Sequence, residues 1–380
     1  MHSKILYIQY TNPACYPSLE HSSMILADKG WKIIFLGTGS FGESNVLNFK
    51  EHPNISLKRL SYCPAGIRQK FHYIWYSLWV LWHCLWWRPR WIYASEPLSC
   101  PIALILSYLP RLKIIYHEHD SPNSQQGVSG FVNYVLKARK NLASKAALCI
   151  LPNEERVKRF VRETGREGDT LCVWNCPRLK EAAPQRKIKR NRETTLYYHG
   201  TISRGYLPLG ILKAMSDLPA EIILKIIGYE TIGSSGYISE LREEANRLGI
   251  TKRIEILKPI PRYQIWEYCS NGDIGLAFIP AKSQDVNNIN KTCASVKPFD
   301  YMACGLALLV SDLPDWRKMY VEPGYGLSCN SEDAGSIAAS LRYFLEHPEE
   351  TREMGECGRQ KILEGWNYEK QFEPVLNRIM

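Results

Sequence analysis

The sequence predicts an α/β fold in which two doubly wound domains face each other across a central cleft. Three observations carry this expectation. The chain has 380 residues, of which 45% are hydrophobic and 23% charged. That size and composition suit two full cores and exclude intrinsic disorder and a disulfide-stapled miniprotein. Short apolar runs alternate with helix-length segments in both halves. A polar, basic stretch without apolar period, 178–193, separates the two series and reads as a linker.

The first series places strands at 4–10 (KILYIQY), 31–37, 55–62, 91–97, 113–119 and 147–153, with helical segments such as 18–29 and 130–146 between them. Near-continuous apolar strands separated by amphipathic helices specify a parallel sheet covered on both faces. The second series repeats the pattern, with strands at 195–200, 220–228, 253–259, 273–280, 306–312 and 325–330 and helices at 237–248, 296–303 and 334–345. A last helix is expected at 368–379. The resulting division is a first domain over 1–177, a second over 194–364, and a C-terminal helical segment over 365–380. Ligands of such sheets bind at the carboxyl ends of the strands, so the site is expected in the cleft.

Charge is divided unevenly. Residues 1–193 hold 28 Lys and Arg against 14 Asp and Glu, and residues 194–380 hold 20 against 24, which sets a half at +14 beside one at −4. The basic half is expected to face phosphate groups, an anionic lipid surface or nucleic acid. The start, MHSKILYIQY, lacks the pattern of a signal peptide, so a cytoplasmic location is expected. The 12 Cys contain no CxxC pair and read as small core residues of a reducing compartment, with no metal site expected.

One apolar segment, Tyr73 to Trp87, has about 15 residues where a spanning helix needs about 20. Within it Trp75, Trp79, Trp82 and Trp86 recur on one helical face, with Lys70 before them and Arg88 and Arg90 after. Two readings remain open for this stripe. It is either a core helix beneath the sheet or a helix at a membrane interface, where Trp sits at headgroup level and cations meet anionic lipid.

The strongest local signal is KTCASVKPFDYMACGLALLVSD, residues 291–312. Small residues, Cys293, Ala294 and Ser295, lead into a short helix whose N-terminus offers free N–H groups to a phosphate. Lys297 in its first turn and Asp300 one turn on can face the same cleft. HGTISRG (199–205) follows the first strand of the second domain and supplies Gly200 and Arg204, whose planar fork suits a diphosphate. His199 reads as a satisfied strand-end histidine. In the first domain YHEHDSP (116–122) ends a buried strand at the cleft, whereas NPACYPSLEH (12–21) has no glycine and so no dinucleotide fingerprint.

VKPFDYMACGLALLVSDLPDW resembles the donor-binding signature of glycosyltransferase family 4, and YPSLEHSSMILADKGWKIIFLG, RPRWIYASEPLSCP, YHEHDSP, LYYHGTISRG and GWNYEKQFEPVLNRI follow in the family's order. The resemblance covers nearly the whole chain. It implies the GT-B fold, two Rossmann-like domains with a C-terminal helix crossing back to the first. It implies a retaining hexosyltransferase that takes a sugar from a nucleotide diphosphate donor, UDP-sugar ahead of GDP- or ADP-sugar, with no further cofactor and no metal. Asp300 falls on the ribose clamp. Arg204, with Lys297 and Gly200, falls on the diphosphate. His119 falls on the donor sugar as the catalytic residue. Many relatives carry a second Glu where this chain has Thr292, which leaves the sugar to the backbone of Thr292, Cys293, Ala294 and Ser295.

The acceptor expected from the charge and the Trp stripe is a saccharide, polyprenyl- or otherwise lipid-linked, on the inner face of the cytoplasmic membrane, as in surface polysaccharide or glycoconjugate synthesis. Nucleic acid is not an expected partner. Two rivals are a GT-B sugar-nucleotide epimerase and a non-catalytic basic module that binds nucleic acid or lipid.

Overall fold

The computed structural model describes residues 3–122, 130–184, 193–289 and 291–380. Seven strands form the first sheet: β1 (Lys4–Ile8), β2 (Lys32–Thr38), β3 (Ile55–Leu60), β4 (Trp91–Ser95), β5 (Lys113–His117), β6 (Leu148–Leu151) and β7 (Thr170–Cys172). Their order is β3-β2-β1-β4-β5-β6-β7 and every pair is parallel. β7 has only three residues, too few to show as an apolar run. Alternation along β1 builds a core on each face: Ile5 and Tyr7 enter one cluster, Leu6 and Ile8 the other. The covering helices include α1 (Pro17–Asp28), α2 (Ile67–Trp87), α3 (Cys100–Leu106), α4 (Gly130–Lys145) and α5 (Glu154–Thr164).

The second sheet joins β8 (Thr194–Thr201), β9 (Ile222–Tyr229), β10 (Ile254–Leu257), β11 (Ile274–Ala277), β12 (Ala307–Ser311) and β13 (Gly326–Cys329). Its order, β10-β9-β8-β11-β12-β13, is again all parallel and repeats the pattern of the first. The helices that shape the cleft are α6 (Gly210–Ser216), α7 (Tyr237–Arg247), α8 (Arg262–Cys269), α9 (Val286–Ile289) and α10 (Val296–Ala303). The last helix, Tyr368–Ile379, sends Tyr368, Phe372, Val375 and Ile379 into the first domain's core beside Tyr7. This i, i+4, i+7, i+11 stripe is why the chain crosses back.

Two expectations meet different outcomes here. Residues 185–192 of the linker lie outside the described residues. The linker's start is not free, because Arg178 bonds both Asp28 and Glu369, which pins Leu179–Glu181 as a short helical turn. The α2 stripe is not core throughout. Trp75, Trp82 and Trp86 are 60%, 57% and 61% exposed, whereas Trp79 is half-buried against the first domain's core. α2 buries Tyr73, Tyr76, Val80 and Cys84 instead. No helix among the described residues is long and apolar enough to cross a membrane.

Candidate active site in the cleft

Parallel topology puts the carboxyl ends of both sheets on the cleft, and a cavity of about 180 Å³ opens there between the domains. The first domain contributes Ala14, Cys15 and Pro17 from the turn after β1. The second contributes the ends of β8 and β9 together with Arg262, Lys297 and Asp300. Gly200 lies at φ +105, a region that strongly favours glycine. A side chain there would meet Lys297 Cε at 3.4 Å, so its absence lets Lys297 lie along the β8 backbone.

Lys297 points its ammonium across the rings of Tyr206 and Tyr198, 4.9 and 5.3 Å from their centroids. Burial and the neighbouring Lys291 outweigh Asp300 and push its pKa down to about 7. It has no carboxylate partner in bonding contact among those the described residues supply, so an incoming phosphate would favour its charged form and pair with it.

Asp300 is fully buried and holds Arg262 by two bonds, 2.7 and 2.9 Å, while His199 Nε2 lies 3.1 Å from Oδ2. Burial alone would raise this carboxyl, but Arg262 and His199 hold it below its ordinary value. Arg262 reaches further, into the first domain: His21 Nε2 on α1 lies 3.0 Å from Arg262 Nε and 3.0 Å from Glu181 Oε2. Sequence reasoning missed Arg262, His21 and Glu181. They are scattered over 240 residues with no shared motif, and the pattern shows nothing that ties them to Asp300.

The other expected residues divide. Arg204 is 67% exposed, pairs with Glu240 on α7 and rides over Tyr237; it does not line the cavity. Thr292, Cys293, Ala294 and Ser295 form a turn in which the N–H groups of Ala294 and Ser295 donate to Lys291 O. The carbonyls of Thr292 and Ala294 accept from Asn153 and Asn175 of the first domain, at 2.8 Å each. Cys293 sits in the left-handed region at φ 64. This loop is thus held across the cleft, and Asn287 just before it exchanges two bonds with the Ser121 backbone and offers its carbonyl to Arg156.

His119 is buried behind the 14–17 turn. Its ring nitrogens lie 3.1 Å from the hydroxyls of Ser18 and Ser95, and its ring sits over His117 with centroids 3.8 Å apart. Burial pushes its pKa down to about 3, so the imidazole is neutral at any physiological pH. A fourth missed residue supports it. Glu96 accepts the N–H groups of His119 and Asp120 at 2.7 and 3.2 Å, from a strained φ of 67 at the end of β4.

Comparison with known proteins follows this geometry. Residues 210–377 match the family described as "Glycosyl transferase-like". No curated protein matches the sequence. Among solved structures, HepE of Anabaena in complex with UDP and glucose is similar over 99% of each chain, at 15% identity and a TM-score of 0.72. The sucrose-phosphate synthase of Thermosynechococcus elongatus matches over 99% of this chain and 98% of its own, at 15% and 0.69. WaaG, a glycosyltransferase involved in lipopolysaccharide biosynthesis, matches over 99% of each chain, at 11% and 0.67. The fold is GT-B. The matched stretch, 210–377, contains Arg262, Lys297 and Asp300 but not the first domain's wall.

Proposed function

We propose that this protein is a retaining glycosyltransferase of family 4, which moves a sugar from a UDP-sugar to a lipid-linked saccharide in the assembly of surface polysaccharide or another glycoconjugate. The observation that carries the reading is the interdomain cavity, where Lys297 and the Gly200 backbone stand beside Asp300 in a glycosyl transferase-like domain. HepE, of the same fold, holds UDP and glucose, which supports the donor; WaaG's part in lipopolysaccharide biosynthesis supports the acceptor class.

In this reading the departing diphosphate meets the Lys297 ammonium and the first N–H groups of α10, fixed charges and dipoles aimed where negative charge develops. Arg204 joins them only after it leaves Glu240. A carboxylate has about four lone-pair sites, and Arg262 and His199 occupy three of those on Asp300, which leaves room for one ribose hydroxyl. The acceptor hydroxyl attacks on the donor's own face and passes its proton to the departing phosphate oxygen, so no protein nucleophile is needed. His119, neutral and with both ring nitrogens on Ser18 and Ser95, bonds the sugar only by giving up one of those hydroxyls, and it does not act as an acid.

Thermal melts with UDP, GDP and ADP test the donor. UDP should raise stability by RT ln(1 + [L]/Kd), about 2.7 kcal/mol at a hundred times Kd, and the other two less. No shift with any of the three removes the donor site from this cleft.

A further inference from the structure

A second depression lies at the cleft end of the first sheet. α2, α3 and α4 each begin from the carboxyl side of a strand, and their first halves enclose a groove of about 340 Å³. Tyr73 and Ile102 form its floor; Ile74, Leu78, Ile105 and Phe131 are its walls. Two of the hydroxyls that line it are already used, since Tyr73 donates to Leu98 O at 2.7 Å and Ser77 to Tyr73 O at 2.9 Å, and the third belongs to the exposed Tyr134. An occupant therefore meets mainly hydrocarbon, with Tyr134 and Lys70 as the polar groups of the lining. Elsewhere on α2, outside the groove lining, Phe71, Trp75, Trp82 and Trp86 are exposed.

Charge selects the occupant. α2, α3 and α4 carry no Asp or Glu, but they carry Arg68, Lys70, Lys137, Lys140 and Lys145, all exposed, and Lys70 lines the groove itself. A ligand that is apolar along its length and anionic at one end fits both features. Tyr10, just past the carboxyl end of β1, bonds His72 of α2 at 2.7 Å and packs edge-on against Tyr73 of the groove floor, ring centroids 5.0 Å apart, which ties the groove to that end of the sheet.

We propose that this groove holds the hydrocarbon tail of the acceptor, a lipid phosphate bearing the saccharide, with Lys70 meeting the phosphate and the sugar directed into the cleft. The proposal rests on the lipid-linked reading given above and names its subsite. It places the tail beside the exposed Trp residues of α2 and not among them.

Farnesyl phosphate and inorganic phosphate, each titrated into the full chain by calorimetry below the micellar concentration, test this. Wild type should bind farnesyl phosphate and not inorganic phosphate. Leu78→Asp and Ile105→Asp, both at exposed positions that tolerate substitution, should weaken it about tenfold or more by setting a carboxylate in the wall. Trp86→Ala, outside the groove, should keep the wild-type affinity, and UDP should stabilise all four proteins equally. Equal affinity in wild type and the two Asp variants, no binding by wild type, or an equal loss in Trp86→Ala overturns the groove while UDP stabilisation stands. Absence of UDP stabilisation in wild type overturns the donor reading instead, and the subsite with it.

Discussion

Lys297 and Arg204 looked alike as candidate phosphate cations in the sequence, and the structure separates them by surroundings. Arg204 sits in solvent with Glu240, where an ion pair contributes about 0–1 kcal/mol. Lys297 sits in the cavity wall with its pKa lowered to about 7. Binding a diphosphate must favour the ammonium, so UDP affinity is full below pH 7 and falls as pH rises through that value. The fall approaches tenfold per pH unit until the bound-state pKa, raised by the phosphate, is reached. Calorimetry from pH 7 to 9 should show this slope in wild type and in Arg204→Ala, and lose it in Lys297→Met. A flat wild-type profile would take Lys297 out of phosphate contact. Asp300 makes a different forecast from the one its motif suggested. As half of a buried pair with Arg262, its replacement strands a guanidinium, and Asp300→Ala should cost about 3–5 kcal/mol of stability as well as nucleotide affinity. Melts within 1 °C of wild type would show that the pair does not hold the fold. The motif marked Asp300 because its neighbours in sequence are informative. It could not show Arg262, whose importance comes from a contact between α8 and α10 made only when the second domain folds.

At the scale of elements, the strands were legible because a buried parallel strand must be apolar at nearly every position, and β1, β2, β4 and β12 are. α2 was legible as a helix but not as to its faces. Apolar side chains occur all round it, so period alone does not say which stripe meets the sheet. The sheet takes Tyr73, Tyr76 and Val80 and leaves three of the four Trp outside. Mutational cost should follow that division. Tyr76→Ala opens the core and should lose about 3–5 kcal/mol, in the range of large aromatic truncations, whereas Trp82→Ala should melt as wild type does. Thermal denaturation of the two variants decides this, and a collapse of Trp82→Ala would put that face in a contact the fold depends on.

For the whole molecule, the uneven charge and the exposed aromatic face point the same way. The half with +14 contains α2, α3 and α4, which lack any carboxylate, and the half with −4 meets it across the cleft, through the returning C-terminal helix and where Trp174, Cys176 and Ala182 pack on the second domain's core. A GT-B chain built this way should approach a bilayer by its first domain. Each basic residue near an anionic surface contributes about 1 kcal/mol, and that attraction falls within a Debye length, about 10 Å at 0.1 M salt and 3 Å at 1 M. The Trp and Leu side chains of α2 add an apolar component that salt does not screen. Co-sedimentation should therefore show strong preference for phosphatidylserine-containing over neutral vesicles at 0.1 M, and at 1 M a weaker binding that no longer distinguishes them. Trp82→Glu combined with Trp86→Glu should remove the residue left at high salt while the preference for anionic lipid at low salt persists in reduced form. Equal partition into both vesicle types at 0.1 M would mean that the basic half serves the nucleotide alone, and the acceptor would then have to reach the cleft from solution.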